Sequence, residues 1–354
     1  MYKRINGLQH IGVAVTDMDA SLKFYRKFFG LDIPFFDSVQ PAPLMDYYTN
    51  NKTITKRASM VMNLQGGCAI EVLRPTSFEP RKAPFTIQVG DLGIFILQVK
   101  CRDIHKSYEF CKNEKAPRWS EMLKTPDGKD TFYIYDPDGN IWQYIQSDEW
   151  YTDNGHHSGG VMGCSVGVSD IEKAKKLYCD LLGFDEIVYD ETAQFQDWRN
   201  LEGGNERYRR VLLTQSAQPG GGFAKLTGRT YIELVQALDR TPNFIFKDRI
   251  WCDTGYAHIG FDVKGMSALG NDLAAAGYPF TCDSKTALSM GKSTKVHCTY
   301  IHDDDHTLIE LIEVFKVPII EKWGIFLNVE KRDPLKPLPD LMLKALRFSR
   351  IKDY

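Results

Sequence analysis

The sequence lacks several features that would assign it to a specialised class. None of its eight cysteines forms a C-x-x-C pair, so no cysteine-rich zinc site or redox motif is indicated, and in a chain of this length we expect reduced thiols. There is no run of about 18 apolar residues, and the first residues, MYKRINGLQH, contain no apolar signal segment. We therefore expect a cytoplasmic protein that does not contact a membrane.

The sequence also lacks an excess of charge of one sign. Its formal net charge is -2, with acidic and basic residues interspersed, which gives no electrostatic reason to expect a nucleic-acid partner. No glycine-rich loop of the P-loop or dinucleotide type follows a predicted strand, so we expect no nucleotide cofactor. The 354 residues, 43% hydrophobic and 25% charged, fit a globular protein of about two domains.

The strongest positive feature is an internal repeat. Residues 7–32, GLQHIGVAVTDMDASLKFYRKFFGLD, align without a gap to residues 160–185, GVMGCSVGVSDIEKAKKLYCDLLGFD. Each copy begins with small and β-branched residues, continues after an Asp with apolar residues at helical spacing, and reaches a Gly. This pattern predicts a strand, a capped helix and a second strand, and it occurs twice.

Weaker copies follow each strong one. Residues 94–108 and 258–276 again predict a strand leading into a helix, and 131–145 and 298–312 predict hairpins, the first with the turn sequence DPDGN. We therefore predict four βαβββ units, near 5–80, 90–148, 160–240 and 255–315.

The repeats also divide the chain into larger parts. The polar, glycine-rich segment 147–160 is interpreted as a linker. The predicted domains are 1–148, with the first pair of units, and 160–315, with the second pair. Residues 316–354 form a C-terminal tail, in which PDLMLKALRFSRI predicts an amphipathic helix.

Histidine and glutamate recur at equivalent strand positions of these units. His10 and His258 lie in the first strands of units 1 and 4, each on the strand face with the small residues. Glu71, Glu233 and Glu310 each interrupt an apolar last strand. The other equivalent positions hold Ile94 and Gly163 in place of histidine and Gln143 in place of glutamate.

A bound cation explains this recurrence best. A single strand histidine is usually structural and a single strand glutamate usually faces solvent, but the same two positions carry both residues in two separate units. An unpaired carboxylate in an apolar strand costs several kcal/mol, which a cation removes. Imidazole and carboxylate ligands without thiolate suit one divalent ion, Zn²⁺, Ni²⁺, Co²⁺, Mn²⁺ or Fe²⁺.

The segments LQHIGVAVTDMDASLKFYRKFFGLD, AHIGFDV and DPDGN and the IEL/IEV strand endings resemble the vicinal oxygen chelate superfamily. It includes glyoxalase I, extradiol dioxygenases and bleomycin resistance proteins. The resemblance implies an α+β fold in which four βαβββ modules form two incomplete mixed β-barrels. It also implies a metal held by His10, Glu71, His258 and Glu310.

The pairing of the units decides whether that ligand set is complete. If neighbours pair, units 1 and 2 form a broken site, and units 3 and 4 offer three ligands. If units 1 and 4 pair, all four ligands meet and no oligomer is required to complete the site. The second arrangement resembles single-chain, four-unit glyoxalases, and we favour it.

The resemblance implies a small-molecule substrate with adjacent oxygens. We expect a glyoxalase-like lyase or isomerase in which Glu71 or Glu310 transfers a proton. An Fe(II)-dependent ring-cleaving dioxygenase is the alternative enzyme, and a ligand-binding protein of the same fold is the alternative without catalysis.

Overall fold

The structure, a computed structural model, describes residues 2–285, 288–290, 294–320, 325–330 and 332–351. Its elements follow the predicted four units. Unit 1 contains β1 (Arg4–Ala14), α1 (Met18–Phe29), β2 (Ile33–Pro41), β3 (Thr55–Met62) and β4 (Ala69–Pro75). Unit 2 contains β5 (Gly93–Cys101), α2 (Ile104–Asn113), β6 (Leu123–Lys124), β7 (Asp130–Tyr135) and β8 (Ile141–Gln146).

The second half of the chain repeats this order. Unit 3 contains β9 (Ser158–Gly167), α3 (Ile171–Lys175), β10 (Glu186–Gln194), β11 (Arg207–Thr214), α4 (Ala224–Thr227) and β12 (Tyr231–Ala237). Unit 4 contains β13 (Gly255–Lys264), α5 (Met266–Ala275), β14 (Cys282–Asp283), β15 (Leu288–Met290), β16 (Thr294–His302) and β17 (Leu308–Ile320). The tail adds β18 (Ile325–Asn328) and α6 (Asp340–Ala345).

The ends of α1 show why the repeat folds as predicted. The carboxylate of Asp17 accepts hydrogen bonds from the backbone N–H groups of Asp19 and Ala20, which caps the first turn. Gly30 ends the helix with a positive φ of 60°, a conformation that favours glycine. No helix within the described ranges is long and apolar enough to cross a lipid bilayer.

The units pair in the crossed order. In one sheet, β1 runs antiparallel to β13, which joins units 1 and 4 in the order β14-β16-β17-β13-β1-β4-β3-β2. In the other, β5 runs antiparallel to β9, which joins units 2 and 3 in the order β10-β11-β12-β9-β5-β8-β7-β6. The favoured pairing is confirmed, and the two curled sheets are the incomplete mixed barrels of the predicted fold class. Residues 1–148 and 160–315 each contribute one unit to each sheet.

A shared core lies between the convex faces of the two sheets. Apolar residues of the first strands, Ile11 and Ile259 in one sheet and Leu97 and Val166 in the other, are buried there with the helices. Because side chains alternate along a strand, His10 and His258 face the opposite, concave side of their sheet.

Two details differ from the sequence interpretation. The polar segment 147–160 was interpreted as a linker, but its His156 is packed against α1, with Nε2 3.0 Å from the backbone oxygen of Lys27. Unit 4 was predicted to end near 315, with the tail from 316, but its last strand continues to Ile320. The predicted tail helix forms as α6, and its Leu343 is fully buried in a cluster with Met62 of unit 1 and Leu226 of unit 3.

Candidate metal centre

The four predicted ligands lie on the four central strands of the first sheet. His10 on β1 is paired with Gly260 on β13, and His258 is paired with Gly12. The outer strands repeat this symmetry, because Glu71 on β4 lies beside Gly12 and Glu310 on β17 lies beside Gly260. Unit pairing therefore places the ligands around a local twofold axis, and all four side chains are buried.

The two glycines make room for the two imidazoles. A Cβ on Gly12 would lie 2.3 Å from Cε1 of His258, and a Cβ on Gly260 would lie 2.4 Å from Cε1 of His10. Real Cβ contacts are never this short. Each HIG triplet thus supplies a ligand and the space for the ligand of the partner unit.

The ligand atoms converge on one point. Nε2 of His10 lies 3.0 Å from Nε2 of His258 and 3.1 Å from Oε2 of Glu310. Nε2 of His258 lies 3.4 Å from Oε2 of Glu310 and 3.5 Å from Oε2 of Glu71. The longest of these separations, from His10 Nε2 to Glu71 Oε2, is 4.0 Å. Ligand bonds of about 2.0–2.2 Å to a common ion produce separations of this size.

Charges in the centre are strongly coupled. Burial lowers the pKa of His10, but its hydrogen bond and ion pair with Glu310, together with the charge of Glu71, outweigh burial and raise the pKa above its usual value. Burial raises the pKa of Glu310, but the two histidines outweigh it and hold that pKa well below its usual range. The carboxylates therefore attract positive charge into a buried space.

The donor set fits a divalent cation. Nδ1 of His10 lies 3.1 Å from Oε1 of Gln9, an acceptor, so the neutral ring donates from Nδ1 and directs its Nε2 lone pair to the centre. Nδ1 of His258 is buried and has no hydrogen-bond partner in the described part of the chain. Two imidazole nitrogens and two carboxylates are suitable ligands for Zn²⁺ and its neighbours in the first transition series.

The two glutamates have different surroundings. The phenol of Tyr300 donates a hydrogen bond of 2.6 Å to Oε1 of Glu310. Oε1 of Glu71 has Lys56 Nζ at 3.9 Å, which is an ion-pair distance longer than a hydrogen bond. Glu310 is thus held more firmly than Glu71.

Two cavities lie at opposite ends of the strands that carry these ligands, one near Asn6 and Ile312 and the other near Ala257 and Leu308. One is predominantly apolar, lies at the Asn6 end, and is closed by the 220–223 loop and tail residues 332–336. The other, of about 400 Å³, is lined on the opposite end by Tyr48, Trp251, Ala257, His302 and Leu308. Met60 of unit 1 and Phe223 of unit 3 line the first cavity, and Tyr48 of unit 1 lines the second.

The equivalent place in the second sheet holds an arginine. Arg210, 1% exposed, donates to Glu233 at 2.7 Å and to both oxygens of Asp197 at 2.8 Å. Its guanidinium lies 3.8 Å from the ring centre of Trp198. A fixed cation of the chain therefore neutralises Glu233, in a barrel whose four equivalent ligand positions contain no histidine.

The strand registers correct one equivalence. Gln98 pairs with Gln143 and with Gly163, as Gly260 pairs with Glu310 and His10. The unit 2 residue that corresponds to His258 is therefore Ile96, two positions after the predicted Ile94. The match of Ile94 with His258 was wrong. Which residues are equivalent depends on the hydrogen-bonding register of the strands, and the sequence does not show that register.

Sequence reasoning missed four residues around the two centres: Gln9, Lys56, Arg210 and Tyr300. Tyr300 pairs with Glu310 across the predicted hairpin 298–312. Lys56 lies four positions before Met60, the partner of Glu71, and therefore on the same face. A signal thus existed for both residues. Gln9 had none, because it reaches His10 through a register shift between Leu8 and His10.

Comparisons with known proteins agree with this architecture. Two family profiles, both described as the glyoxalase/bleomycin resistance protein/dioxygenase superfamily, match residues 7–144 and 164–296. The chain belongs to this superfamily. Its members include enzymes, and the vicinal oxygen chelate resemblance of the sequence is confirmed.

Individual relatives are distant. A protein of Bacillus sp. (strain MD1) named trivalent organoarsenical cleaving enzyme is 24% identical over 168 residues, which are 47% of this chain and 87% of the relative. Glyoxalase I from Zea mays is 15% identical, with a TM-score of 0.52 over 88% of this chain and 92% of that one. A putative dioxygenase from Bacillus subtilis is 12% identical, with a TM-score of 0.57 over 88% and 86% of the two chains. The two solved structures support the fold.

Proposed function

We propose that the protein is a metal-dependent vicinal oxygen chelate enzyme, a lyase or isomerase that moves a proton on a small substrate with adjacent oxygens. One observation supports the proposal above the others. Four buried ligand atoms from His10, Glu71, His258 and Glu310 lie within 4.8 Å of one another, in an arrangement that would be costly without a cation.

A divalent cation bound by these residues would act as a Lewis acid toward the adjacent oxygens of a substrate. The chain itself must then carry the proton. A carboxylate that moves a proton needs one oxygen free of strong partners and reach toward the substrate.

Glu71 meets this requirement better than Glu310. Its Oε2 is the more distant carboxylate oxygen from His10, 4.0 Å against 3.1 Å for Glu310. Within the described residues its Oε1 accepts no hydrogen bond comparable to the one that Tyr300 donates to Glu310. We assign proton transfer to Glu71 and a fixed position to Glu310.

Metal content tests the centre directly. The purified chain should contain about one equivalent of a divalent metal by elemental analysis, and His10→Ala and His258→Ala should lose most of it. The control is His105→Ala, because that side chain is 75% exposed. Equal metal content in all four proteins contradicts the centre.

Deuterium exchange tests the proton transfer. Hydroxyacetone offers adjacent carbonyl and hydroxyl oxygens, and NMR in D₂O follows the replacement of its C–H by C–D. We expect Glu71→Gln to retain metal and to slow exchange by about 100-fold or more. Full exchange in Glu71→Gln rules out Glu71 as the base, and full exchange in Glu310→Gln rules out Glu310.

The looser position of Glu71 also favours a second candidate function, that of an Fe(II)-dependent dioxygenase. If Glu71 does not bind the metal, His10, His258 and Glu310 form the two-histidine, one-carboxylate ligand set of non-haem Fe(II) oxygenases. The relative named as an organoarsenical cleaving enzyme makes a bond-cleaving reaction worth testing. Oxygen consumption by the Fe(II)-loaded protein with a catechol would support this alternative, and exchange of hydroxyacetone under anaerobic conditions would support the first.

A further inference from the structure

A buried lysine lies beside the candidate metal centre. Lys56 is 6% exposed, although lysine is rarely buried without a partner. Its ammonium lies 3.9 Å from Oε1 of Glu71 and 5.6 Å from the ring centre of Trp251. The surrounding side chains, Ala58, Leu73, Cys252 and Leu308 among them, form an apolar cluster on this part of the concave face.

Once a metal is bound, the positive charge of Lys56 is not balanced by any negative charge in the centre. A divalent ion contributes two positive charges, Glu71 and Glu310 contribute two negative charges, and ligating histidines are neutral. The positive charge of Lys56 then has no counterpart in the centre. A buried charge without a partner costs several kcal/mol, so the loaded centre favours one additional negative charge.

A second donor lies next to the lysine. The indole nitrogen of Trp251 is buried and has no hydrogen-bond partner among the described residues. Trp251 also lines the cavity of about 400 Å³ that opens beside Ala257 and Leu308, the neighbours of His258 and Glu310 on their strands. Tyr48 also lines this cavity, and its backbone oxygen accepts a hydrogen bond from the backbone N–H of Trp251.

We propose that Lys56 and Trp251 form an anion-binding subsite, so that the ligand of this centre is a small organic monoanion with adjacent oxygens. One oxygen of its anionic group would lie between the Lys56 ammonium and the Trp251 N–H, beside the cavity that Trp251 lines. This inference rests on the proposed metal centre, because only a bound divalent ion leaves Lys56 in excess.

Lactate and lactamide are matched probes. Both present a hydroxyl beside a carbonyl oxygen and have nearly the same shape, but only lactate is charged. Titration calorimetry on the metal-loaded chain gives the ratio of their affinities. We expect Lys56→Met to lower the lactate-to-lactamide ratio about tenfold or more, with metal content unchanged, and Lys56→Arg to preserve it.

Trp251→Phe keeps an aromatic ring at this position and removes the N–H. It should weaken lactate binding severalfold, which tests the subsite if Lys56→Met folds poorly. An unchanged ratio in both Lys56→Met and Trp251→Phe overturns the inference while the metal centre stands. Loss of metal in Lys56→Met also overturns it, since Lys56 would then only position Glu71. A wild-type chain that binds no divalent metal overturns the proposed function itself.

Discussion

Two glycines determine whether the candidate ligands can face each other. Gly12 and Gly260 lie where a methyl group would enter the imidazole of the partner unit, at 2.3 and 2.4 Å. The sequence predicted a histidine face lined by small residues, and this was confirmed. It did not predict that each glycine serves the histidine of the other unit, because that relation exists only after units 1 and 4 pair.

Gly12→Ala should therefore lower metal affinity although the glycine binds nothing. The methyl group displaces His258, and misplacing a ligand costs about 10–100-fold in affinity. Competition with a chromogenic chelator measures the loss. The matched control is Gly222→Ala, where the new Cβ meets Leu338 at an ordinary 3.4 Å. Equal affinities of wild type and Gly12→Ala would contradict this role.

Arg210 illustrates a residue that sequence reasoning could not single out. It lies in RYRRVLLT with two other arginines, and only its alternation with Tyr208 and Leu212 indicates an inward side chain. Arg210 binds Glu233 and Asp197 at the place that corresponds to the metal centre of the first sheet. These contacts join parts of unit 3 that are far apart in sequence, so the local pattern could not indicate them.

Arg210→Met should destabilise the protein strongly. It leaves the carboxylates of Glu233 and Asp197 buried without their cation, and breaking a buried pair this way costs about 3–5 kcal/mol. Urea unfolding measures the change. Arg209→Met is the control, because Arg209 has a partly exposed side chain paired with Asp190 and Glu172 and should cost about 1 kcal/mol or less.

At the scale of elements, two equivalent hydrogen bonds join the barrels. Tyr25 of α1 donates to Asp136 in the turn of unit 2, at 2.8 Å. Tyr178, which follows α3, donates to Asp303 in the turn of unit 4, at 3.0 Å. The gap-free alignment of the repeat makes Tyr25 and Tyr178 equivalent, and both turns lie in the hairpins predicted at 131–145 and 298–312. Their contact across units was not predictable, since it needs the packing of one barrel on the other.

Asp303 should make stability depend on pH. Burial raises its pKa to about 6, against hydrogen bonds from Thr307 and Tyr178 that lower it, while Asp305 adds to the increase. The unfolded chain has a pKa near 3.9, so the folded state retains the proton longer and stability falls as pH rises from about 4 to about 6. The loss should approach about 3 kcal/mol.

Comparison with Asp303→Asn isolates this contribution, because the amide is neutral throughout. The free energy of unfolding of wild type minus that of Asp303→Asn should decrease across the window, as measured by urea titrations at several pH values. The same difference for Asp148→Asn, at an exposed linker side chain, serves as the control. A difference for Asp303→Asn that stays constant with pH would show that burial does not retain the proton.

The sequence left open which units pair to form each sheet. Either pairing uses the same strands and helices, and only the choice of β13 rather than β5 as the partner of β1 completes the set His10, Glu71, His258 and Glu310. The position of the surviving ligands in the outer units favoured the crossed pairing, whereas nothing in the local patterns of units 2 and 3 indicated it.

The crossed pairing predicts the behaviour of a divided chain. A break after Gly155, in an exposed turn with φ of 81°, separates His10 and Glu71 from His258 and Glu310. Each half as a monomer has two of the four ligands and should bind no metal tightly, whereas an equimolar mixture should form a complex with one ion. Size-exclusion chromatography measures association of the halves, and elemental analysis measures the metal content of each fraction. A first half that carries His10→Ala should still associate with the second half, because the strands still pair. The complex should, however, bind no metal. If a monomeric half retained a full equivalent of metal, its ligands would have to come from neighbouring units, and the shared centre between β1 and β13 would be wrong.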